Sequence, residues 1–404
     1  MRFTSTFFIL LASSFALAAP SATLHTVEKY SGETTGRYIV TFKVDADKSS
    51  AKPDSGVTHT WDGAINGFAG HFDDATVEKL RANPDVETIT EDGVMHTFVT
   101  ETNAPWGLSR LSSSSKLSNQ DTSALTYSYT YDSSAGAGVD IYIVDTGVFT
   151  SHSQFGGRAS WGATFGGYAD ADGNGHGTHC AGTAAGSQFG VAKSANIIAV
   201  KVLSDQGSGA VSDIVSGLNF VANRASSTGR PSIVSMSLGG SASTSLDNAV
   251  TSVRVPSPLP SHTPTYIHPP NKLTSAGVHV AVAAGNSNTD AGTTSPARAT
   301  SAVTVGASTI ADARASFSNF GSVVDVFAPG QNIISSWIGS TTATNNISGT
   351  SMATPHIAGL IAYLIGLQGN VSPAAMSSKI QSLSLKGVIS GIPSGTVNDL
   401  AHNA

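Results

Sequence analysis

The amino-acid sequence predicts an α/β protein whose main domain has three layers, a parallel β-sheet covered by helices on both faces. From Val139 onward, short β-rich runs alternate with helical segments, which is typical of parallel strands connected by helices. Charged residues make up only 12% of the chain, and 42 of the 404 residues are glycine. This composition and the scattered apolar residues exclude a coiled coil, a disordered chain and a multi-span membrane protein.

The N-terminus has the pattern of a secretory signal peptide. Arg2 precedes an apolar stretch over 7–17, and small residues at 16–18 form a cleavage site. The stretch is too short to span a membrane, so we assign residues 1–18 to a signal peptide and expect a secreted, extracellular protein without a membrane segment. The net charge of −6 and the lack of a basic patch argue against nucleic acid as a partner.

Residues 19–98 predict a separate, small α+β domain that is richer in charge than the rest of the chain. Its expected elements are a strand at 38–44, a helix at 75–81 and a strand at 86–89. The helix is expected to stop at Asn83-Pro84, because proline cannot continue it. The main domain then occupies 99–404.

The main domain is expected to alternate strands and helices. The predicted strands are 139–144, 197–203, 233–238, 278–284 and 302–305. The predicted helices are 176–186, 212–225, 244–253, 351–367 and 373–383. Ser372 is the expected N-cap of the last helix, with proline at its first position. Because function gathers at the carboxyl ends of parallel strands, we expect the site residues there.

Four polar residues stand at such positions or at helix starts. Asp145 ends a strand in the motif IVDTG, where a buried carboxylate can orient a neighbour. His176 lies in GNGHGTHCAGT, and small residues after it leave room for a substrate beside the imidazole. Ser351, in SGTSMATPH, opens a long apolar helix whose free N–H groups favour negative charge. Asn286 ends another strand in VAAGN and can donate a second hydrogen bond to an oxyanion.

Together these motifs, in the order Asp, His, Asn, Ser, resemble those of the secreted subtilisin-type serine proteases of the proteinase K group. The resemblance runs from the motif NAPWG at 103–107 to about residue 398. It implies a three-layer subtilisin-like catalytic domain at 99–404 and a ferredoxin-like inhibitory propeptide at 19–98. It also implies a monomeric enzyme that acts on protein and peptide substrates and has its own propeptide as an intramolecular inhibitor.

The resemblance assigns a role to each motif. Ser351 is the nucleophile, His176 the general base and acid, Asp145 the group that orients the imidazole, and Asn286 an oxyanion donor. Substrate-binding positions are Gly207, Ser208, Gly209, Ser237, Leu238, Gly239, Ala283, Ala284 and Gly285. Backbone pairing with the substrate implies broad specificity, and small uncharged pocket walls imply an apolar or aromatic preference. Self-cleavage is expected within 98–101.

The resemblance further implies a structural calcium ion and no catalytic cofactor. The expected ligands are the backbone carbonyls of Thr300 and Ala302 and the carboxylate of Asp325, since calcium prefers oxygen. Asn346 and Asn370 begin glycosylation sequons. The single cysteine, Cys180, excludes an intramolecular disulfide.

The same residues are also compatible with other chemistries. The DTG motif at 145–147 also occurs in aspartic proteases, but the only second candidate, 54–56, lacks an apolar strand before it. His176, His179 and Cys180 suggest zinc, but a fourth ligand is missing. A nucleophilic Cys180 is a further alternative. So is a catalytically silent relative that acts as a binding or inhibitor protein.

A proline-rich segment at about 254–273 interrupts the family-like pattern. It contains six of the 16 prolines of the chain and stands between a predicted helix and the strand that leads to Asn286. One hypothesis is a translated intron of about 20 residues, because codons that fit splice signals can encode both ends. The alternative is a genuine surface loop, which would add little loop-closure cost. If translated, it is also the feature that would silence the enzyme by misplacing Asn286.

Overall fold

The structure is a computed structural model that describes residues 24–30, 34–63, 65–94, 97–251, 274 and 277–403. The predicted signal peptide (1–18) and the proline-rich segment (254–273) lie outside the described residues. The chain divides into two compact units, with the boundary between Val94 and Met95. The boundary expected from the sequence, at residue 98, stays a prediction.

The N-terminal unit is a five-stranded sheet with one helix. Its strands are β1 (Val27–Glu28), β2 (Thr34–Phe42), β3 (Val57–Asp62), β4 (Asn66–Gly70) and β5 (Val86–Gly93), and its helix is α1 (Asp74–Arg81). The sheet order is β1-β5-β2-β4-β3. From β2 onward the order is strand, short 3₁₀ turn, two strands, helix and strand, which is the ferredoxin-like succession with the turn in place of the first helix. The predicted ferredoxin-like architecture is therefore confirmed. Its core contains Val40, Phe42, Phe68, Leu80, Val86 and Ile89.

The C-terminal unit is organised around a nine-stranded sheet. It begins with β6 (Phe98–Ala104), α2 (Trp106–Ser112) and β7 (Tyr127–Asp132), where β6 and β7 form a separate antiparallel pair. The strands of the large sheet are β8 (Asp140–Asp145), β9 (Ala159–Thr164), β10 (Asn196–Lys201), β11 (Ser232–Met236), β13 (His279–Ala283), β15 (Val303–Ser308), β16 (Val326–Pro329), β19 (Leu385–Lys386) and β20 (Asp399–Leu400). Besides β6 and β7, four short strands lie outside this sheet, namely β12 (Gly240–Ser241), β14 (Thr294–Ser295), β17 (Ile333–Ser336) and β18 (Thr344–Ile347).

The order of the large sheet is β19-β20-β16-β15-β13-β11-β8-β10-β9, and the strands from β16 to β9 are all parallel. The helices are α3 (His176–Ala185), α4 (Val211–Thr228), α5 (Thr244–Val250), α6 (Thr350–Gln368) and α7 (Pro373–Leu383). Alternate side chains of β8 enter different cores. Ile141 and Ile143 pack with α3 and α6, whereas Tyr142 and Val144 pack with α4 and α5. The predicted three-layer arrangement is therefore confirmed.

The apolar helix α6 runs through the larger core. Among the described helices it alone is long and apolar enough to cross a membrane, but 83% of its apolar window is buried inside the protein. It therefore fits the core helix of the α/β unit. Ser351, in its first turn, lines the same cavity as Thr146 and Leu203, which follow the carboxyl ends of β8 and β10.

Val250 and Thr274, which stand on either side of the proline-rich segment, lie side by side. The hydroxyl of Thr274 donates a hydrogen bond to the carbonyl of Val250 at 3.1 Å and lies 3.2 Å from the Ser301 hydroxyl. Helix α5 ends at Val250, before the end predicted from the sequence at residue 253. The chain therefore leaves and re-enters the fold at almost the same point.

Candidate active site

Strand β8 and helix α3 bring Asp145 and His176 together. Asp145 is the last residue of β8 and is fully buried, whereas His176 opens α3 with its side chain 26% exposed. His176 Nδ1 lies 2.8 Å from Asp145 Oδ1 and 3.0 Å from Oδ2, so the ring donates to the carboxylate. The hydroxyl of Thr146 accepts from the Gly177 amide at 3.0 Å and joins the two elements. The arrangement fixes the imidazole with Nε2 directed away from the carboxylate.

The environment of His176 changes its protonation. Burial disfavours the imidazolium, but the charge and hydrogen bond of Asp145 together with the neighbouring Cys180 outweigh burial, so the pKa of His176 is raised well above its usual range. A base with a raised pKa holds a proton more tightly once it has taken it. The pair is therefore suited to removing a proton from a hydroxyl and then passing it to a leaving group.

Ser351 lies in the first turn of α6, at the same cavity as His176. The cavity has a volume of about 1020 Å³ and is lined by both side chains. The Ser351 hydroxyl donates to the carbonyl of Ser237 at 3.1 Å, and no described hydrogen bond joins it to His176. Catalytic hydrogen bonds are often formed only when substrate is bound. A change of the serine rotamer is therefore needed to complete the line of three side chains.

Asn286 follows β13 and lines the same cavity. Its Oδ1 accepts hydrogen bonds from the Thr350 amide at 2.8 Å and the Thr350 hydroxyl at 2.9 Å. Because the Thr350 amide can only donate, the orientation of the side chain is settled and Nδ2 is the free end. A Cβ atom placed on Gly349 would lie 3.5 Å from Ser351 N and 3.7 Å from Asn286 Nδ2. Two N–H donors therefore border one small volume, as oxyanion binding requires.

Most of the predicted substrate-binding positions line this cavity. The lining includes Gly207, Ser208, Gly209, Ser237, Leu238, Gly239, Ala283 and Gly285. Ala284 is fully buried and packs in a hydrophobic cluster with Ala297 and Phe327. It is not among the described lining residues, so its contact with substrate stays a prediction. Among the described lining residues His176 alone is ionisable, which makes the cavity walls electrically neutral.

The residues expected to hold calcium adjoin each other at the start of β15 and β16. Asp325 Oδ2 accepts from the Thr304 amide at 2.8 Å, and the Asp325 amide donates to the Thr304 carbonyl at 2.9 Å. The segment that contains Thr300 and Ala302 immediately precedes this contact. Burial raises the pKa of Asp325 to about 6, and no cationic side chain contributes to that shift. Gln381 donates to Asp325 Oδ1 at 3.2 Å. Backbone carbonyls beside a partly buried carboxylate without a counter-ion fit calcium.

His179 and Cys180, the residues of the zinc and cysteine alternatives, are buried and engaged in hydrogen bonds to main-chain carbonyls. His179 is buried with Nε2 bonded to the carbonyl of Ile333 at 2.9 Å, and burial lowers its pKa to about 3. The Cys180 sulfur lies 4.0 Å from His176 Nδ1 and donates to the Ser351 carbonyl at 3.4 Å. Burial raises the pKa of the Cys180 thiol, which opposes formation of a nucleophilic thiolate.

Sequence reasoning missed three polar residues that support the site. Thr350 holds the Asn286 amide, Asp172 accepts hydrogen bonds from both sides of the Asp145–His176 pair, and Asn319 contacts the loop around Asn286. Thr350 stands one position before Ser351, and Asp172 stands four positions before His176, so their closeness in the chain is a local signal. Asn319 stands 33 positions after Asn286 and has no such signal in one sequence.

Comparison with known proteins identifies the family. The model of the subtilase family matches residues 136–391, and that of the peptidase inhibitor I9 family matches 44–98. The chain is 46% identical over 376 residues to a cuticle-degrading protease of Metarhizium anisopliae, with 91% of this chain and 89% of the relative covered. It is 45% identical over 374 residues to a subtilisin-like protease of Coccidioides posadasii, covering 86% of this chain and 70% of the relative.

Solved structures agree with this assignment. A cold-adapted subtilisin-like serine proteinase superposes with a TM-score of 0.64 at 41% identity, covering 75% of this chain and 99% of that one. Sphericase superposes with a TM-score of 0.60 at 28% identity, covering 74% of this chain and 98% of that one. The chain therefore belongs to the subtilase family of serine proteases, with an I9 inhibitor domain in front of the protease domain.

Proposed function

We propose that the protein is a secreted serine endopeptidase of broad specificity that acts through an acyl-enzyme on Ser351. The main support is the buried Asp145 carboxylate bonded to His176, which faces the same cavity as Ser351 and Asn286. This set supplies a nucleophile, a base oriented by a carboxylate, and two donors for the oxyanion. The silent-relative alternative has no observation in its favour among the described residues.

The reaction follows from these positions. His176 Nε2 takes the Ser351 proton as Oγ attacks the carbonyl carbon of the peptide bond. The negative charge that forms on the carbonyl oxygen is held by Asn286 Nδ2 and the Ser351 amide. When the C–N bond breaks, His176 gives the proton to the leaving amine. Water, activated by the same imidazole, then hydrolyses the ester and restores the serine.

Substrate binding would prepare the nucleophile. In the free enzyme the Ser237 carbonyl accepts from the Ser351 hydroxyl. A substrate strand that pairs with 237–239 would supply backbone N–H groups to that carbonyl. The serine hydroxyl would then be released toward His176. Pairing through the backbone ignores side chains, so it supports broad specificity.

The cavity favours apolar and aromatic side chains. Leucine and isoleucine side chains contribute to its walls, and the remaining described lining is small or polar but uncharged apart from His176. A charged substrate side chain would lose its hydration there without gaining a counter-ion. We therefore expect cleavage mainly after apolar and aromatic residues.

The precursor would process itself, with a cut expected within 98–101. In this structure that segment is part of β6, paired with β7, and none of its residues lines the cavity around Ser351. Cleavage must therefore take place before β6 pairs with β7 or after the pair opens. The I9 domain would inhibit the enzyme until it is removed.

The remaining properties are proposed on the same basis. The mature enzyme would be a monomer that binds one structural calcium ion through Thr300, Ala302 and Asp325. Secretion would expose both sequons to glycosylation, and Asn346 and Asn370 are exposed in the structure. The Asn370 Oδ1 accepts from His279 Nε2 at 2.9 Å, which leaves its amide nitrogen free.

A comparison of wild type with Ser351→Ala tests the proposal. Wild-type protein should hydrolyse casein, and a phosphonylating reagent should label Ser351 and stop hydrolysis. The Ser351→Ala variant should accumulate as a precursor that retains the propeptide. An active wild type that is labelled elsewhere, or normal trimming of the variant in the absence of other proteases, would contradict the proposal. Digestion of a peptide library by the mature enzyme measures its specificity.

A further inference from the structure

Asn319 is a buried polar residue to which the reaction scheme above gives no role. It lies between β15 and β16, with its side chain at the inner wall of the cavity and only 2% exposed. A buried amide costs free energy unless its donors and acceptors are satisfied. Where its hydrogen bonds go therefore shows what it stabilises.

The hydrogen bonds of Asn319 reach the main chain on both sides of Asn286. Its Oδ1 accepts from the amides of Ser287 and Thr289, both at 3.0 Å. Its Nδ2 donates to the carbonyl of Ala284 at 2.9 Å. Its own amide donates to the carbonyl of Gly285, also at 2.9 Å. One side chain and one main-chain group thus hold the loop immediately before and immediately after Asn286.

The packing around this contact is equally close. Gly285 has a φ of +103°, which favours glycine, and a Cβ atom there would collide with Asn319 Nδ2. From the opposite side, Thr350 holds the Oδ1 of Asn286. Asn286 is therefore fixed at two points, with its main chain held by Asn319 and the end of its side chain held by Thr350.

We propose that Asn319 is a positioning residue for catalysis, which keeps the Asn286 amide where the oxyanion forms. This inference rests on the proposed function, because it assigns Asn286 the role of oxyanion donor. An oxyanion donor works only when it is held in place before the reaction. The segment from Ala284 to Thr289 belongs to no helix or strand, so its position depends on contacts with other parts of the chain. Main-chain hydrogen bonds join Ala284 to Val305 and Asn288 to Phe317, and the Asn319 side chain adds contacts on both sides of Asn286.

A double-mutant cycle tests the inference. We would measure kcat and KM on a peptide amide for the wild type, Asn319→Ala, Asn286→Ala and the double variant. Removal of an oxyanion donor lowers kcat by ~10²–10³. We expect Asn319→Ala to lower kcat at least about tenfold in the wild type, and less than about threefold when Asn286 is already alanine. An equal loss in both backgrounds would overturn the inference.

Two further variants separate positioning from simple stabilisation. Asn398 also uses both ends of its amide, accepting from the Ile389 amide at 3.0 Å and donating to its carbonyl at 2.7 Å. Asn398→Ala should lower the melting temperature and leave kcat unchanged. Asn319→Asp keeps the acceptor for Ser287 and Thr289 but replaces the donor to Ala284 with a second acceptor. It should fold and lose kcat, and wild-type kcat in this variant would overturn the inference.

The outcomes distinguish this inference from the function on which it rests. If Asn286→Ala leaves kcat unchanged, the proposed oxyanion role of Asn286 is wrong. If Asn286→Ala lowers kcat but Asn319→Ala does not, the oxyanion role stands and the positioning role of Asn319 is wrong.

Discussion

Asp172 offers a sharp test of how the loops support the active site. Its Oδ1 accepts from the Thr146 hydroxyl at 2.9 Å and from the amides of Asn174 and Gly175 at 3.1 and 2.9 Å. Its Oδ2 accepts from the Thr178 amide at 3.0 Å and the Thr178 hydroxyl at 2.6 Å. One carboxylate thereby joins the turn after Asp145 to the helix that begins at His176.

The substitution Asp172→Asn has a calculable cost. An asparagine offers only one acceptor oxygen, so its NH₂ group must face one of the two sets of donors. The orientation with the lower cost places the NH₂ group against Thr178, because it loses two hydrogen bonds to a charged acceptor and the other orientation loses three. The Thr178 side chain is buried, so water cannot replace the lost partners. We expect a loss of about 2–4 kcal/mol in the free energy of unfolding. For a domain of this size that lowers the melting temperature by about 4–8 °C.

The assay measures the melting temperature of enzyme whose Ser351 is blocked and the kcat of enzyme whose Ser351 is free. Calorimetry on phosphonylated enzyme avoids self-digestion, and unblocked enzyme gives kcat, which we expect to fall about tenfold as His176 shifts. Asp121→Asn is the matched control, since Asp121 accepts from the Ser123 amide and hydroxyl but is exposed. It should change the melting temperature by less than about 1 °C. A melting temperature of Asp172→Asn equal to that of the control would refute the reasoning.

Three further outcomes are expected. The raised pKa of His176 places the acidic limb of the kcat/KM profile above about pH 6.5, because the base must be neutral and activity therefore rises with pH through its pKa. The substitution Asp145→Asn should move this limb to lower pH and reduce kcat by ~10⁴. A limb below 6.5 in the wild type would contradict this. Chelation of calcium should lower the melting temperature of the wild type but not that of Asp325→Asn, and equal sensitivity of the two would exclude this site. Deletion of 254–273 should preserve the fold and leave kcat within about twofold, since Val250 and Thr274 on either side adjoin and loop length has a small entropic cost. A transcript that retains the segment as the major form would refute the intron hypothesis.

The elements that the sequence predicted well have local chemical signals at their ends. Helix α7 begins and ends where expected, because Ser372 caps it by accepting from the Ala375 amide and Pro373 occupies its first turn. Strand β8 is fully buried and consists of β-branched and aromatic residues apart from its terminal aspartates. Such signals depend on neighbours in the chain, so one sequence is enough to detect them.

The elements that the sequence did not predict are stabilised by distant partners. Strand β9 is a half-buried edge strand that contains Gly162, and β16 has only four residues, one of them Pro329. Neither has the length or the alternation that predicts a strand. Both form because β10 and β15 supply main-chain partners, and those partners are known only once the sheet is assembled.

The candidate site shows the same division between local and distant causes. Asp145 could be found because it ends a buried strand, and Asn286 because it stands three residues after one, where a polar side chain is conspicuous beside apolar sequence. The side chains that hold them in place could not be found in this way. Asn319, for example, contacts main-chain amide and carbonyl groups, and almost every residue type carries such groups. Hydrogen bonds from a side chain to the backbone leave no pairwise pattern in a single sequence, although they decide whether a donor is held within the few tenths of an ångström that catalysis requires. The reacting groups can therefore be predicted from sequence, whereas the rigidity that makes them effective must be determined from the structure.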